Sequence, residues 1–230
     1  MSARDAILAR VRAACGGGAA DAAARVRARI ADPPGPTIPA RARGPHSELL
    51  SRFVAMAEQV AATVAQVAGP DRVPAEVAGY MAREGLGVEA VIARPGARHG
   101  LAAGIPWHDA PRLILRQGPA RDTDRVSVSP AVAGIAETGT VLVRCGAGLP
   151  NTLYFLPETH IVVLSASTIV GAYEDGWALL GREVSPAHWP PRAATMITGP
   201  SRTSDIEKTL QVGVHGPRRL HIIVVHGEKT

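Results

Sequence analysis

The chain has 230 residues, of which 46% are hydrophobic and 20% charged, so it can bury one sizeable core but cannot form a large multidomain enzyme. Its two cysteines, Cys15 and Cys145, exclude a self-contained iron–sulfur cluster or an all-cysteine zinc site, because each needs four thiolates. Residues 1–45 hold eight arginines against three aspartates and account for the whole net charge of +5, so residues 46–230 are formally neutral. This basic segment has no aromatic side chain, which is atypical of a nucleic-acid groove.

The first 45 residues are predicted to form a basic helical arm and a proline-rich linker. Apolar residues recur at helical spacing over 2–14 and 21–30, and the prolines after Asp32 stop the second helix. Two interpretations of this arm stay open, a loosely held terminus and a docking element for a partner subunit. The remaining residues, 46–230, are expected to be the functional domain.

The next two segments are predicted to be helices. Residues 47–68 keep an apolar period near 3.6, with Ser47 as a possible cap, and are expected to form one long core-facing helix. A shorter helix is expected over 74–83, where Pro74 suits the first turn.

After Gly85 the chain changes to short apolar runs bounded by glycine and proline, which are typical of strands. Strands are predicted at 88–93, 112–115, 126–128, 140–143, 160–164, 194–198 and 220–225, and helices at about 167–180 and 203–210. Runs such as 161–164 and 222–225 are apolar on both faces, as in a parallel sheet covered by helices. The pattern therefore predicts an α/β fold with an open, mostly parallel sheet flanked by helices, and ligands at the carboxyl ends of its strands.

A candidate anion site follows the strand predicted at 194–198. Small hydroxyl residues there precede a predicted helix, whose first backbone N–H groups favour an anion, and an arginine can add a bidentate contact. The same hydroxyls can also cap the helix, and the two roles are compatible. The residues expected to bind a ligand are Gly199, Ser201, Arg202, Thr203 and Asp205.

Glu137 is a candidate catalytic residue within the run Ala-Glu-Thr-Gly-Thr at 136–140. A carboxylate with a tuned pKa can act as a nucleophile or general base, but Glu137 can equally hold its turn through backbone hydrogen bonds. The neighbours expected to bind a ligand are Thr138, Gly139, Thr140 and, downstream, Asn151, which can instead form a local Asx turn.

His215 is the second candidate catalytic residue, as an acid, base or ligand between small residues, with a structural hydrogen bond as the alternative. The sequence has no H-x3-H or H-E-x2-H pair, no Gly-x-Ser-x-Gly elbow and no dinucleotide fingerprint after Gly85. We therefore expect no metal site, no cofactor in this chain and neither zinc nor serine hydrolase chemistry.

Four segments in order, 136–140, 149–161, 199–207 and 213–217, together resemble the lactate-utilisation (LUD) domain family, in particular its lactate utilisation protein C group. The resemblance covers residues 46–230. It implies an α/β fold like the ribose-5-phosphate isomerase, glucosamine-6-phosphate deaminase and CoA-transferase group. It also implies a role in oxidising L-lactate to pyruvate with two partner proteins that carry iron–sulfur clusters.

Three hypotheses follow. Since the chain lacks the Cys-x2-Cys-x2-Cys-x3-Cys run of the larger partner, it would be a cluster-free subunit that binds a small carboxylate or phosphate at Ser201, Arg202 and Thr203. The first alternative is a stand-alone transferase or isomerase for a CoA ester or sugar phosphate, with Glu137 as catalyst. The second is a non-enzymatic scaffold or carboxylate sensor. With few cysteines and no apolar run of about 18 residues, we expect a cytoplasmic protein that neither inserts into membranes nor binds nucleic acid.

Overall fold

The computed structural model describes residues 2–14, 21–32, 35–94, 104–146, 148–184, 189–203, 211–213 and 215–227. Its helices are α1 (Ala3–Ala14), α2 (Ala22–Ala31), α3 (His46–Gln59), α4 (Val73–Arg83), α5 (Thr152–Phe155) and α6 (Tyr173–Glu183). Its strands are β1 (Thr63–Val67), β2 (Glu89–Ile92), β3 (Ile114–Gln117), β4 (Val126–Pro130), β5 (Ala133–Ile135), β6 (Thr140–Arg144), β7 (Thr159–Ser165), β8 (Ile169–Val170), β9 (Ala194–Ile197), β10 (Arg202–Thr203), β11 (Gln211–Val212) and β12 (Arg219–Val225).

The chain divides into two compact units, Met1–Thr37 and Ile38–Thr230. The described part of the first unit consists mainly of α1 and α2, and neither helix buries a side chain. Both helices of the basic arm are therefore present, as the apolar spacing predicts. The functional boundary expected between residues 45 and 46 stays a prediction. None of the described helices combines the length and apolar composition that crossing a membrane requires.

A six-stranded sheet in the order β1-β12-β7-β4-β2-β3 forms the centre of the second unit, and every neighbouring pair is parallel. All seven residues of β7 are buried, as are residues 220–225 of β12, which explains why the runs 161–164 and 222–225 are apolar at every position. One face of the sheet packs against Val77 and Met81 of α4, and the other packs against Phe53 and Ala57 of α3. The predicted α/β fold, an open parallel sheet flanked by helices, is confirmed.

Four further strands form a second sheet in the order β8-β5-β6-β9. Strands β5 and β6 form an antiparallel hairpin whose turn is residues 136–139, and β9 pairs antiparallel with β6. Strands β5 and β8 could not be predicted from the sequence, because strands of three and two residues are too short to show a period. This small sheet places the turn at 136–139 and the end of β9 near each other.

The long helix predicted over 47–68 is wrong in its second half. Helix α3 ends at Gln59, Ala61 turns the chain with a φ of +65°, and Thr63–Val67 become β1, which pairs with β12. The apolar spacing runs across the turn, but β-branched residues with a parallel partner are more stable as an edge strand. The start also differs, because Pro45 occupies the N-cap position and Ser47 lies inside the first turn.

One later helix prediction needs correction, and another falls almost wholly on residues that the structure does not describe. The helix expected at about 167–180 begins only at Tyr173, after a short 3-10 turn and β8. The helix predicted at about 203–210 lies outside the described residues apart from Thr203, which belongs to β10 and pairs antiparallel with β11. Residues 202–203 are therefore strand, and the anion site expected at a following helix start stays a prediction.

Candidate functional site

A cavity of about 320 Å³ lies where the end of β9 meets the amino-terminal ends of β7 and β12. The segments that form it are 195–202, 215–217 and the end of α5, together with single residues of β7 and β12. Its apolar walls include Phe155, Ile197 and Leu220. The cavity thus lies at the opposite end of these parallel strands from the carboxyl ends where a ligand was expected.

Hydrogen bonds to Ser201 hold its loop against residues 213 and 215–217 at this cavity. The backbone N–H of Ser201 donates to the Pro217 carbonyl oxygen at 2.8 Å, and Gly213 donates to the Ser201 carbonyl oxygen at 2.9 Å. The His215 N–H donates to Ser201 Oγ at 3.3 Å. The exposed side chains of Arg202 and His215 both line the cavity. The structure therefore brings together residues that the sequence analysis placed in two separate candidate sites.

His160, which was not among the predicted site residues, lines the same cavity. Its imidazole is fully buried, with Nε2 2.7 Å from Ser129 Oγ and with Nδ1 lacking a hydrogen-bond partner among the described residues. Burial lowers the pKa of His160 to about 3, so the ring is neutral at physiological pH. An unpartnered buried nitrogen costs about 1–3 kcal/mol, and a ligand in the cavity could remove that cost.

The predicted residues Thr138 and Thr140 belong to a cluster of hydroxyl groups that reaches the cavity through Thr198. Thr138 Oγ1 lies 2.6 Å from Thr140 Oγ1 and 2.8 Å from the Tyr173 hydroxyl. Thr140 Oγ1 lies 2.7 Å from Thr198 Oγ1, and Thr198 lines the cavity. The two threonines therefore connect the hairpin turn to the cavity wall, but neither lines it.

Glu137 forms an ion pair with Arg41 at the hairpin turn. Arg41 Nη2 donates to Glu137 Oε1 at 2.6 Å, and the Glu137 side chain is only 10% exposed. The Glu137 backbone N–H donates to the Gly171 carbonyl oxygen at 3.1 Å. Among the described residues, those lining the cavity do not include Glu137. In this geometry Glu137 fastens the segment at residues 40–42 to the hairpin turn, and its catalytic role stays a prediction.

We expect Arg41→Ala to lower the free energy of unfolding by about 1–2 kcal/mol, because it leaves a nearly buried carboxylate without its cation. Solvent screening of the exposed arginine keeps the cost at the lower end of this class. The double variant Arg41→Ala/Glu137→Gln should cost less than the sum of the two single changes. Urea denaturation measures all three variants.

Arg43→Ala is the matched control, since Arg43 lies two residues along the same segment and its one hydrogen bond among the described residues is a 3.5 Å contact to the Ile38 carbonyl oxygen. It should change stability by less than about 0.5 kcal/mol. Strict additivity of the Arg41 and Glu137 changes would show that the ion pair contributes nothing.

The other predicted ligand-binding residues have varied positions. Gly199 lines the cavity, and Thr203 follows Arg202 in β10. Asn151 is exposed, accepts a hydrogen bond from the Cys145 thiol and is not among the lining residues. Asp205 lies outside the described residues. Within the part of the chain that the structure describes, no group of three or more His, Cys, Asp or Glu side chains could hold a metal ion.

Comparisons with known proteins point to one family. The model of the LUD domain matches residues 50–225. A lactate utilization protein C of Geobacillus sp. strain WCH70 is 33% identical over 56% of this chain and 64% of its own length. A protein of the same name from Deinococcus radiodurans is 37% identical over 54% of this chain and 60% of its own length. The chain thus spans less than two thirds of each of these relatives.

A solved structure supports the fold. It is the crystal structure of a DUF162 family protein from Deinococcus radiodurans, with a TM-score of 0.57 and 23% identity. The match covers 80% of this chain and 99% of that chain. Because the family model also matches well over half of the sequence, from the first half of α3 to the end of β12, the chain belongs to the LUD domain family.

Proposed function

We propose that this chain is a cluster-free component of an L-lactate-utilisation system and that its cavity binds a small anionic ligand, a carboxylate or a phosphate. The names of its relatives support the metabolic role. The observation that carries the binding proposal is a single cavity that joins an exposed cation, Arg202, to the polar side chains of Ser201, Thr198 and His215.

The electrons of the reaction leave through other proteins in this proposal. Oxidation of L-lactate to pyruvate releases two electrons and two protons. This chain has only two cysteines, too few to hold an iron–sulfur cluster by itself. We therefore assign electron transfer to partner proteins that carry iron–sulfur clusters, and ligand binding to this chain.

Each part of the cavity has a defined task in binding. The planar guanidinium of Arg202 can hold a carboxylate or phosphate through two parallel N–H···O bonds. The walls formed by Phe155, Ile197 and Leu220 exclude water from one side of the ligand, which strengthens the charged contact. The volume of about 320 Å³ exceeds what a three-carbon acid fills, so the cavity has room for such an acid together with water, or for a longer ligand.

Isothermal titration of the full chain with L-lactate, pyruvate and inorganic phosphate tests the binding proposal. We expect Arg202→Ala to weaken binding about 10- to 100-fold, because a bidentate charged contact contributes about 1.5–3 kcal/mol. Arg112→Ala is the matched control, since Arg112 is exposed and does not line the cavity. Failure of all three anions to bind, or equal affinities of the wild type and Arg202→Ala, would contradict the proposal.

A growth experiment tests the metabolic role separately. Deletion of the gene in its host should abolish growth on L-lactate while growth on pyruvate is retained. Equal growth on both carbon sources would remove the chain from L-lactate oxidation, whatever its cavity binds.

A further inference from the structure

We propose that His160 is the specificity-determining residue of the cavity and selects carboxylic acids with a hydrogen-bond acceptor on carbon 2, the 2-hydroxy and 2-oxo acids. In this proposal its Nδ1–H donates to the carbon-2 oxygen while Arg202 holds the carboxylate. The inference rests on the proposed function and deepens it, because it names the atom of the ligand that the buried end of the cavity recognises.

The position of His160 supports this role. The imidazole lines the cavity from the second residue of β7, and its side chain is fully buried. Nε2 lies 2.7 Å from Ser129 Oγ on the neighbouring strand β4. Nδ1 has no hydrogen-bond partner among the described residues. Because native proteins pair almost all buried polar atoms, a free nitrogen beside a cavity points to a bond that a ligand completes.

The contact with Ser129 determines which atom His160 offers. The Ser129 hydroxyl is buried, and within the described residues its one hydrogen-bond partner is His160. If the hydroxyl donates to Nε2, the serine proton is paired and the ring proton lies on Nδ1. The opposite tautomer would leave the serine proton without an acceptor in a buried place. The geometry therefore favours an N–H donor at Nδ1, the nitrogen without a partner among the described residues.

The neighbours of His160 leave this donor free for a ligand. The Tyr154 ring lies beside it, with 5.6 Å between the ring centroids, but the Tyr154 hydroxyl donates to the Arg144 carbonyl oxygen at 2.7 Å. Leu220, paired with His160 across β12 and β7, supplies only an apolar side chain. The ring is neutral because it is buried, so it provides a directional donor and no positive charge. Arg202 is the one arginine or lysine among the described residues that line the cavity, so in this proposal it holds the carboxylate, and the two residues recognise different parts of one ligand.

Four acids of nearly the same size test this assignment by isothermal titration of the full chain. Propionate has no polar group on carbon 2, L-alanine has an ammonium that can only donate, and L-lactate and pyruvate have an acceptor oxygen. We expect L-lactate and pyruvate to bind about tenfold more tightly than propionate, as one hydrogen bond predicts. L-Alanine should bind no better than propionate, because its ammonium meets another donor.

Three variants separate the two ring nitrogens. His160→Asn keeps an amide near the position of Nδ1 and should retain the preference for L-lactate over propionate. His160→Gln keeps an amide near Nε2, beside Ser129, and should bring that ratio close to one. Ser129→Ala leaves the ring in place but frees its tautomer, so discrimination against L-alanine should fall several-fold while L-lactate still binds. Ser129 acts here as a positioning residue.

The outcomes distinguish this inference from the proposed function. If no acid binds the wild type, the anion site and the role of His160 both fail. If the acids bind and Arg202→Ala weakens them, but L-lactate and propionate bind the wild type equally, the anion site stands and the role of His160 is wrong. This wild-type comparison decides the matter even if the His160 variants do not fold.

Discussion

Lowering the pH from 7 to 5 is expected to reduce the free energy of unfolding by about 4 kcal/mol through two buried histidines, His160 and His221. Burial lowers the pKa of His160 to about 3 and that of His221 to about 4, from an ordinary value of 6.5. Between pH 6.5 and 4 the unfolded chain therefore binds more protons than the folded protein. The contribution of each histidine is complete above pH 6.5 and is lost as the pH falls below that value.

The surroundings of His221 explain its preference for the neutral form. Its ring stacks on Tyr80 with 3.9 Å between centroids, and Nδ1 lies 2.8 Å from Thr63 Oγ1. Glu76 Oε1, 3.7 Å from Nε2, raises the pKa again, but burial is the larger effect and Arg83 opposes the glutamate. The side chain is only 3% exposed, so water cannot compensate a positive charge there.

Urea denaturation at pH 7 and pH 5 measures this effect. His221→Phe keeps an aromatic ring against Tyr80 and removes one of the two titrating groups. We expect it to remove about 2 kcal/mol, half of the loss in the free energy of unfolding between pH 7 and pH 5. Its effect on the free energy of unfolding at pH 7 should be smaller than this. A pH dependence equal to that of the wild type would show that His221 is not held neutral in the folded protein.

The central sheet could be predicted from the sequence because its strands are buried on both faces. Residues 161–164 of β7 and 222–225 of β12 are apolar at every position, which a local pattern reveals directly. Strand β1 could not be predicted in the same way. Its five residues are only partly covered and its apolar spacing continues that of α3, so its parallel partner, far away in sequence, decides its structure.

The side chains of the candidate site could likewise be predicted only where the signal is local in sequence. Small hydroxyl residues and an arginine after a strand were a local signal, and the structure places Ser201 and Arg202 at the cavity. His160 gave no such signal, because its importance depends on Ser129, 31 residues away, and on loops that only the fold brings near it. A polar residue at the start of an otherwise apolar strand is the one sequence feature that could have drawn attention to it.

The contacts of Arg41 also change the interpretation of the basic segment at residues 1–45. Composition assigned the whole net charge to residues 1–45, as if all of that segment were an arm. Arg41 instead lies in the second unit, where it neutralises Glu137, and Arg52 donates a hydrogen bond to the Arg41 carbonyl oxygen. Part of the basic segment therefore holds the hairpin turn of the α/β domain, and the docking hypothesis concerns only the arginines of α1 and α2.

That hairpin turn approaches α3 so closely that Gly139→Ala is expected to lower the free energy of unfolding by about 3–5 kcal/mol. Gly139 has a φ of +68°, and a Cβ atom there would lie 2.3 Å from the Ala57 backbone nitrogen and 2.5 Å from the Met56 carbonyl carbon. Both contacts are with helix backbone, which cannot rotate away as a side chain could. The helix and the turn must separate, which also displaces Thr140 from Thr198 at the cavity wall.

Gly85→Ala separates the two causes of this loss. Gly85 has a similar φ of +63°, but no described atom lies within 4 Å of the position of its Cβ, so only the backbone strain of about 1–2 kcal/mol applies. Urea denaturation of both variants should therefore show the larger loss for Gly139→Ala, and the difference measures the close approach of the turn to α3. Equal losses would mean that the turn moves away from the helix at little cost, and the cavity wall behind Thr198 would then be less rigid than its hydrogen bonds indicate.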